Sequence, residues 1–375
     1  MNLWYLVFRT DSLTYTVCRA LTELGHEATI WVTDPEHGVR AHTYNQSRLA
    51  EMDGVRIIGR EPDRLPASID RLIVQTHPRP AEAVRDLPLL AARARAITLI
   101  SAGDRSREWR EAMRLQWLEI RRLGARLRRV DRVLYKDGFH RHDLHGLLRP
   151  RRMVGFDVHS HFLHRADQFE AMHARDWDAA TTRPYLVNFL GSQDPAVRKA
   201  ILDAVRAQFH GADGSARVVR PGKAMYWHEY SDARPAGLPP TEFVAMLSRS
   251  DFTLCPRGYS RITHRPMEAM LRGSIPVLDA GELDLYGIEL ADGHNCIAVR
   301  GGRWLEAIER IVALPEVAIR HMRENLLAMR AALEYRQVAR GICARLGIDA
   351  GPAARRDGGR NDAAPLAAAS PGPQR

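Results

Sequence analysis

The stretch from Ser250 to Leu278 constrains the fold most, because two apolar runs enclose a polar loop and a short helical segment within it. Asp251 to Cys255 predicts a buried strand, and the segment from Pro256 to Pro266 predicts a loop that ends in a favoured first residue of a helix. Gly273 ends this helix, and Ser274 to Asp279 predicts the next strand. A strand, a loop, a helix and a second strand in this order indicate an α/β fold with a parallel sheet.

The loop and the helix after it carry side chains suited to a nucleotide diphosphate. Arg257, Arg261 and Arg265 lie in the loop or at the helix start, together with Gly258. Guanidinium groups donate charge-assisted hydrogen bonds to phosphate oxygens, and the unpaired N–H groups of a helix start also attract anions. Glu268 lies one turn into the helix, where a carboxylate can accept two hydrogen bonds from a vicinal diol such as a ribose. Alternatively, Glu268 only complements the helix dipole, and Arg257 and Arg261 only reflect an Arg-rich composition.

The order of these residues resembles the exostosin family of glycosyltransferases. That family has a buried strand, a Pro-x-Gly loop, an Arg-x-x-Glu helix start and a Gly-x-x-Pro-Val strand in its C-terminal half. The segment from Tyr185 to Arg198 is similar to the strand and Gly-led loop that open the same domain, so the resemblance covers residues 183–299. Thr263 stands where the family commonly has Ser, so the hydroxyl is kept. The residues that match the later motifs are Pro256, Gly258, Arg265, Glu268, Gly273, Pro276 and Val277.

The resemblance implies a metal-independent, inverting glycosyltransferase of the GT-B type. GT-B is an α/β fold in which two Rossmann-like parallel-sheet domains face each other across a cleft. The implied donor is a nucleotide diphosphate sugar, with UDP as the first expectation, and the implied acceptor is a hydroxyl of a glycan, a glycolipid or a small molecule. Two alternatives are a fucosyl-type transferase that uses a GDP-sugar and a nucleotide-sugar-binding protein without catalysis.

The chain as a whole fits two α/β halves. Residues 1–165 predict an N-terminal, acceptor-side domain, residues 166–182 a polar linker, and residues 183–346 the nucleotide-sugar-binding domain. Residues 350–375 are rich in Ala, Pro, Gly and Arg, which predicts a disordered tail. The predicted strands are Asn2–Phe8, Ala28–Val32, Val55–Ile58, Arg71–Gln75, Ala96–Ser101 and Val133–Lys136 in the first half, and Leu186–Leu190, Arg217–Val219, Asp251–Cys255, Ser274–Leu278 and Asn295–Val299 in the second.

An inverting transfer needs a base that deprotonates the acceptor hydroxyl. Loops after the carboxyl ends of parallel strands face the cleft of such a fold, which selects Asp11 after the first predicted strand and His77 and Asp104 after later ones. Asp104 and Asp11 are the first candidates, although each could instead cap the helix that follows it. Lys223 follows a strand of the second half and either reaches the diphosphate or is a solvated lysine.

Composition and motifs argue against several other classes of protein. The net charge is +10, but only three of the 55 basic residues are Lys, and aromatic residues are not interleaved with the basic ones as in a nucleic-acid stacking platform. The four cysteines are scattered, which predicts neither disulfides nor zinc, and no other metal or cofactor is expected. The Asp176–Trp177–Asp178 segment matches a metal-binding Asp-x-Asp motif of another glycosyltransferase fold, but it lies in the predicted linker.

The N-terminal apolar run is too short for a signal peptide or a membrane span, so a cytoplasmic protein is expected. Ser106 to Arg129 predicts an amphipathic helix. Its apolar face either packs in the core or lies on an anionic membrane surface, which would bring the enzyme to a lipid-linked acceptor. This face consists of Trp109, Met113, Trp117, Ile120, Leu123 and Leu127.

Overall fold

A computed structural model describes residues 1–8, 10, 12–33, 49–76, 85–101, 109–135, 150–155, 169–193, 196–209, 218–230, 238–258 and 263–349. Two β-sheets with flanking helices form the fold, as the alternating sequence pattern predicts. The buried side chains form two largely apolar clusters. One contains residues from both halves of the chain, and the other contains residues from the first half alone. Among the predicted strands, the short apolar, β-branched runs fold as expected.

The first sheet has seven strands in the order β3-β2-β1-β4-β5-β6-β7, and every neighbouring pair is parallel. The predicted bounds of β2 and β3 are confirmed, whereas the short strand β7 was not predicted. The strands are β1 Leu3–Val7, β2 Ala28–Val32, β3 Val55–Ile58, β4 Ile69–Thr76, β5 Ala94–Ser101, β6 Val130–Tyr135 and β7 Met153–Gly155. Within the described part of this half, the helices are α1 Ser12–Glu23, α2 Leu87–Ala91 and α3 Trp109–Leu123.

The second sheet has six strands in the order β13-β12-β11-β8-β10-β9. β9 and β10 form an antiparallel pair, and the other neighbours are parallel. The long strand β10 was not predicted. The strands are β8 Tyr185–Ser192, β9 Val218–Arg220, β10 Lys223–Tyr230, β11 Ser250–Leu254, β12 Ile275–Asp279 and β13 Ile297–Val299. The helices from the connecting segment onward are α4 Phe169–His173, α5 Ala196–Phe209, α6 Pro240–Ser248, α7 Arg265–Leu271, α8 Trp304–Ala313, α9 Glu316–Ala328 and α10 Tyr335–Leu346.

The last helix, α10, returns to the first half of the chain and packs against α1. Its end is held there by hydrogen bonds: Thr98 Oγ1 donates to the Leu346 carbonyl over 3.3 Å, and Arg132 Nη1 donates to the Ala344 carbonyl over 2.9 Å. The two halves are therefore joined twice, once through residues 169–184 and once through the segment before α10.

The Asp-x-Asp segment lies between the two sheets in the chain, and its side chains bind to the end of α7. Trp177 Nε1 donates to the Leu271 carbonyl over 2.8 Å, and Arg272 Nη2 donates to Asp176 Oδ1 over 2.6 Å. Gly273 has a φ of 68°, and a Cβ at this position would lie only 2.4 Å from the Trp177 ring. The glycine is required both for the left-handed backbone and for this close approach. Asp176 is thus bound to an arginine, and among the described residues no group of acidic, His or Cys side chains forms a metal site.

Candidate functional site

The order of strands reverses beside β8. The chain runs from β8 through α5 to β9 and β10 on one side, and then through α6 to β11 on the other side. Because the loops after β8 and β11 leave the sheet in opposite directions, they open a crevice at its carboxyl edge. Most of the residues predicted to bind the donor follow β11, and they lie at this reversal.

Arg198, on α5, bridges the two loops of the crevice. Its Nη1 donates to the Ser192 carbonyl over 3.1 Å at the end of β8, and its Nε donates to the Arg257 carbonyl over 3.2 Å after β11. A Cβ on Gly258 would lie 2.8 Å from Arg198 Nη2, so glycine is what allows the guanidinium to approach the loop. The sequence placed Arg198 in the resembling region but gave it no role in the site. Its contacts identify it as a residue that positions the loop.

Replacement of Arg198 by alanine is expected to raise KM for the donor about 10-fold, because the loop after β11 loses its link to β8. A smaller effect on kcat is expected, since Arg198 acts through the loop backbone. Lys199 is the matched control, because it lies on the same helix, is 52% exposed and pairs with Asp203. Donor-dependence kinetics of both alanine variants measure the difference, and an unchanged KM in the Arg198 variant would contradict the positioning role.

Arg265 and Glu268 form a close pair at the start of α7. Arg265 Nη1 lies 3.6 Å from Glu268 Oε2, and the two side chains are 17% and 5% exposed. The Arg265 guanidinium lies over the Phe243 ring, 4.5 Å from its centroid, and this contact orients the fork. A Cβ on Gly191 would lie 3.9 Å from Arg265 Nη2, so the guanidinium is next to the end of β8. The structure therefore brings the two predicted residues together at the crevice.

The facing atoms of this pair have no hydrogen-bond partner within the described part of the chain. Arg265 Nη1 and Glu268 Oε2 are both buried, and their separation is longer than a hydrogen bond. Buried polar atoms in folded proteins are nearly always hydrogen-bonded, so two unpaired atoms of opposite character side by side indicate a place for a ligand. A cationic donor and an anionic acceptor can together bind a molecule that carries both phosphate and hydroxyl groups.

Thr263 and Tyr286 connect the loop after β11 with the segment after β12. The Thr263 backbone N–H donates to Tyr286 Oη over 3.4 Å, and the Thr263 methyl lies 3.7 Å from the position of a Gly258 Cβ. Burial raises the pKa of the Tyr286 hydroxyl, and the nearby Glu282 carboxylate raises it further, so the group remains a neutral hydroxyl. Sequence reasoning missed Tyr286 and Glu282, and their only signal was their place just after the carboxyl end of a predicted strand.

Two further side chains near this loop, those of Cys255 and Arg257, lie outside the buried pair. Burial raises the pKa of the Cys255 thiol, whose Sγ donates to the Thr253 carbonyl over 3.2 Å, so Cys255 remains an inert thiol. The Arg257 side chain is exposed, while its carbonyl accepts from Arg198. Arg257 can therefore meet a ligand only from the solvent side of the loop.

Lys223 lies away from the other predicted donor-binding residues. It is the first residue of β10, at the amino edge of the sheet, whereas the crevice lies at the carboxyl edge. Its Nζ donates to Asp251 Oδ2 over 2.5 Å and to Glu316 Oε1 over 3.1 Å. Arg323 Nη1 lies 3.4 Å from the other oxygen of Asp251, which is fully buried. Lys223 thus belongs to a buried ion cluster, and the sequence reading failed to anticipate this because Asp251 and Glu316 are distant along the chain.

The candidate bases Asp11 and Asp104, together with His77 and Arg261, lie outside the described residues. Asp11 comes shortly after β1, His77 directly after β4 and Asp104 three residues after β5. In the first sheet the strand order reverses between β1 and β4, and β5 is the next strand. All three positions therefore follow strands at or beside a second reversal point in the sequence of strands.

The chain is similar to known proteins of one architecture. The family model of the RXYLT1 C-terminal domain matches residues 166–284, which include most of the crevice. Among curated protein sequences, none matches significantly. An α-glucosyltransferase in complex with UDP-glucose and DNA containing an abasic site is 11% identical, with a TM-score of 0.56 over 88% of this chain and 93% of that one.

Two further solved structures share the fold. HepE of Anabaena in complex with UDP is 12% identical, with a TM-score of 0.55 over 92% of this chain and 100% of HepE. The UDP-forming α,α-trehalose-phosphate synthase of Burkholderia vietnamiensis is 11% identical, with a TM-score of 0.50 over 92% of this chain and 100% of the synthase. At such identities the likeness concerns the fold, and it confirms the expected GT-B class. With the family match over the second domain, the chain is a glycosyltransferase with a GT-B fold.

Proposed function

We propose that this protein transfers a sugar from a nucleotide diphosphate donor, with a UDP-sugar as the first candidate, to a hydroxyl of a glycan, glycolipid or small-molecule acceptor. The observation that carries the proposal is the buried pair at the crevice, in which Arg265 Nη1 and Glu268 Oε2 lie 3.6 Å apart. The pair offers one charged donor for a phosphate oxygen and one carboxylate oxygen for a ribose hydroxyl. The UDP or UDP-glucose bound in the similar α-glucosyltransferase and in HepE supports uracil as the base.

In this proposal Arg265 stabilises the diphosphate as it leaves. Negative charge grows on the leaving group in the transition state, and a guanidinium fixed by Phe243 needs no reorganisation to meet it. Glu268 holds the ribose, while the Thr263 hydroxyl and the backbone beside Gly258 line the same loop. Arg257 would reach the diphosphate from the solvent side of the loop.

The acceptor side of the proposal rests on the first domain. Asp104 or Asp11 would take the proton of the acceptor hydroxyl as that oxygen attacks the anomeric carbon from the face opposite the leaving diphosphate, which inverts the configuration. Because Arg265 supplies the positive charge, the transfer is proposed to proceed without a metal ion. The exostosin resemblance supports both the inversion and the absence of a metal.

Ligand-induced stabilisation tests the donor class directly. UDP is expected to raise Tm more than GDP or CDP, because uracil is the first candidate for the donor base. A ligand at 100 times its Kd adds about 2.7 kcal/mol to the free energy of unfolding. The same Tm measurements with sugars linked to UDP, GDP and CDP identify the donor. A larger shift with GDP would favour the fucosyl-type alternative, and no shift with any nucleotide would contradict the donor site.

Turnover in the presence of EDTA tests the mechanism. Donor hydrolysis or transfer is expected to continue at an unchanged rate, and NMR of the product is expected to show an inverted anomeric configuration. Loss of turnover on chelation would contradict the metal-independent mechanism, and a retained configuration would contradict the inverting one. Tight donor binding without any turnover would instead indicate a non-catalytic binding protein.

A further inference from the structure

The side of helix α3 that packs against the rest of the first domain carries both polar and apolar residues. Gln116, Glu119 and Leu123 are buried, whereas Trp117 is 58% exposed. The predicted apolar face is thus divided: Leu123 packs in the core, Met113 and Ile120 are half-buried, and Trp117 faces solvent. An exposed Trp in the middle of a packed helix is unusual, because burial of its large ring normally contributes to the core.

Arginines surround this tryptophan on the exposed face. Arg114 lies three residues before Trp117, Arg121 four residues after it and Arg128 in the 3-10 turn that follows, and all three are exposed. Spacings of three and four residues keep Arg114, Trp117 and Arg121 on one side of α3, whereas Arg128 lies beyond the end of this helix. We call Arg114, Trp117, Arg121 and Arg128 the Arg–Trp strip. Glu119 is the only acidic residue between 113 and 129 and it is buried, while Glu111 lies one turn before Arg114, so the strip has a net positive charge.

We propose that the Arg–Trp strip binds an anionic lipid surface. Arginine side chains attract the phosphates of anionic headgroups, each contributing about 1 kcal/mol near the surface. A tryptophan between them suits the boundary of headgroups and acyl chains, because its ring is apolar and its N–H remains polar. The half-buried Met113 and Ile120 border the strip with more apolar surface. Among the described helices, none is long and apolar enough to cross a bilayer, so contact through this strip would be peripheral.

A lipid surface fits the strip better than a nucleic acid does. Single-stranded nucleic acids bind to successive aromatic side chains on which bases stack, whereas the strip offers one. The inference goes beyond the proposed donor chemistry and does not depend on it.

Co-sedimentation of the full chain with vesicles tests this proposal. Binding is expected to vesicles of mixed phosphatidylcholine and phosphatidylglycerol, and not to vesicles of phosphatidylcholine alone. The R114Q/R121Q/R128Q variant is expected to bind about 100-fold more weakly, and Trp117→Ala about 10-fold more weakly. The matched control is R95Q/R300Q/R303Q, which removes three arginines that are 75%, 72% and 62% exposed elsewhere, and it is expected to bind nearly as well as the parent chain.

Three results of the binding assays would overturn the proposal. They are no binding to the mixed vesicles at low salt, equal losses in the strip and control variants, and retention on single-stranded DNA or RNA that depends on the strip without vesicle binding. A dimer that Trp117→Ala dissociates, again without vesicle binding, would also overturn it in favour of a second copy of the chain. The Tm shift with UDP, measured on each variant, separates failure of this proposal from failure of the donor assignment.

Discussion

Replacement of Arg265 by alanine is expected to lower kcat/KM for the nucleotide-sugar donor by about 100- to 1,000-fold, because the leaving diphosphate loses its fixed positive charge. The fold is expected to remain intact, since the side chain contacts Phe243 and Glu268 at a crevice and does not fill the core. Arg265→Lys keeps the charge without the planar fork and is expected to recover only part of the activity. Steady-state kinetics at donor concentrations below and above KM measure kcat and KM separately.

Glu268→Ala is expected to abolish turnover as well, through loss of the ribose contact and of the carboxylate that holds Arg265. Glu268→Gln keeps the shape of the side chain, so any loss of turnover in this variant measures the contribution of the negative charge. Arg249→Ala and Glu242→Ala are matched controls, because both residues are exposed in the same domain on or beside α6. Wild-type activity in either site variant would falsify the assignment of the donor pair.

Lys223→Met is expected to lower the free energy of unfolding by about 3–5 kcal/mol, because it leaves the buried Asp251 without the nearest of its positive partners. Lys223 and Asp251 are 6% and 0% exposed, so the charge left behind cannot be solvated. Asp251→Asn is expected to lose a similar amount, since Lys223 and Arg323 then lack their shared carboxylate. Urea unfolding of the variants measures the loss.

The donor KM separates the two roles considered for Lys223. A lysine in the ion cluster has no effect on KM of the folded protein, whereas a lysine on the diphosphate would raise it. Lys199→Met is the control, because the exposed Lys199–Asp203 pair contributes less than about 1 kcal/mol. A Lys223→Met protein of normal stability and raised KM would contradict the structural role.

The sequence predicted those parts of the fold and site whose cause is local. β2 and β3 are short apolar, β-branched runs, and their bounds are as predicted. Strand β10 was missed because its sequence, KAMYWHEY, mixes charged and aromatic residues and most of its side chains are only half-buried. Its place in the sheet depends on pairing with β8, which is distant along the chain.

The candidate site also combines contacts that follow from local sequence with contacts that only the complete fold creates. Arg265 and Glu268 are three residues apart on one helix, so their proximity follows from helix geometry alone. The bridging role of Arg198 depends on two carbonyls, at Ser192 and Arg257, that only the folded sheet brings together. Lys223 was placed with the donor because its charge was visible in the sequence, whereas Asp251, its partner, was visible only as part of an apolar strand.

The return of α10 to α1 makes the first domain discontinuous in sequence. Cys343 and Leu346 are buried against a half of the molecule whose strands end near residue 155, and the Cys343 thiol donates to the Ala20 carbonyl over 3.7 Å. A fragment cut between the two sheets would expose the apolar surface of α1 that α10 covers. During synthesis the first domain therefore lacks one of its layers until the second domain has emerged, so the two domains complete their folding together.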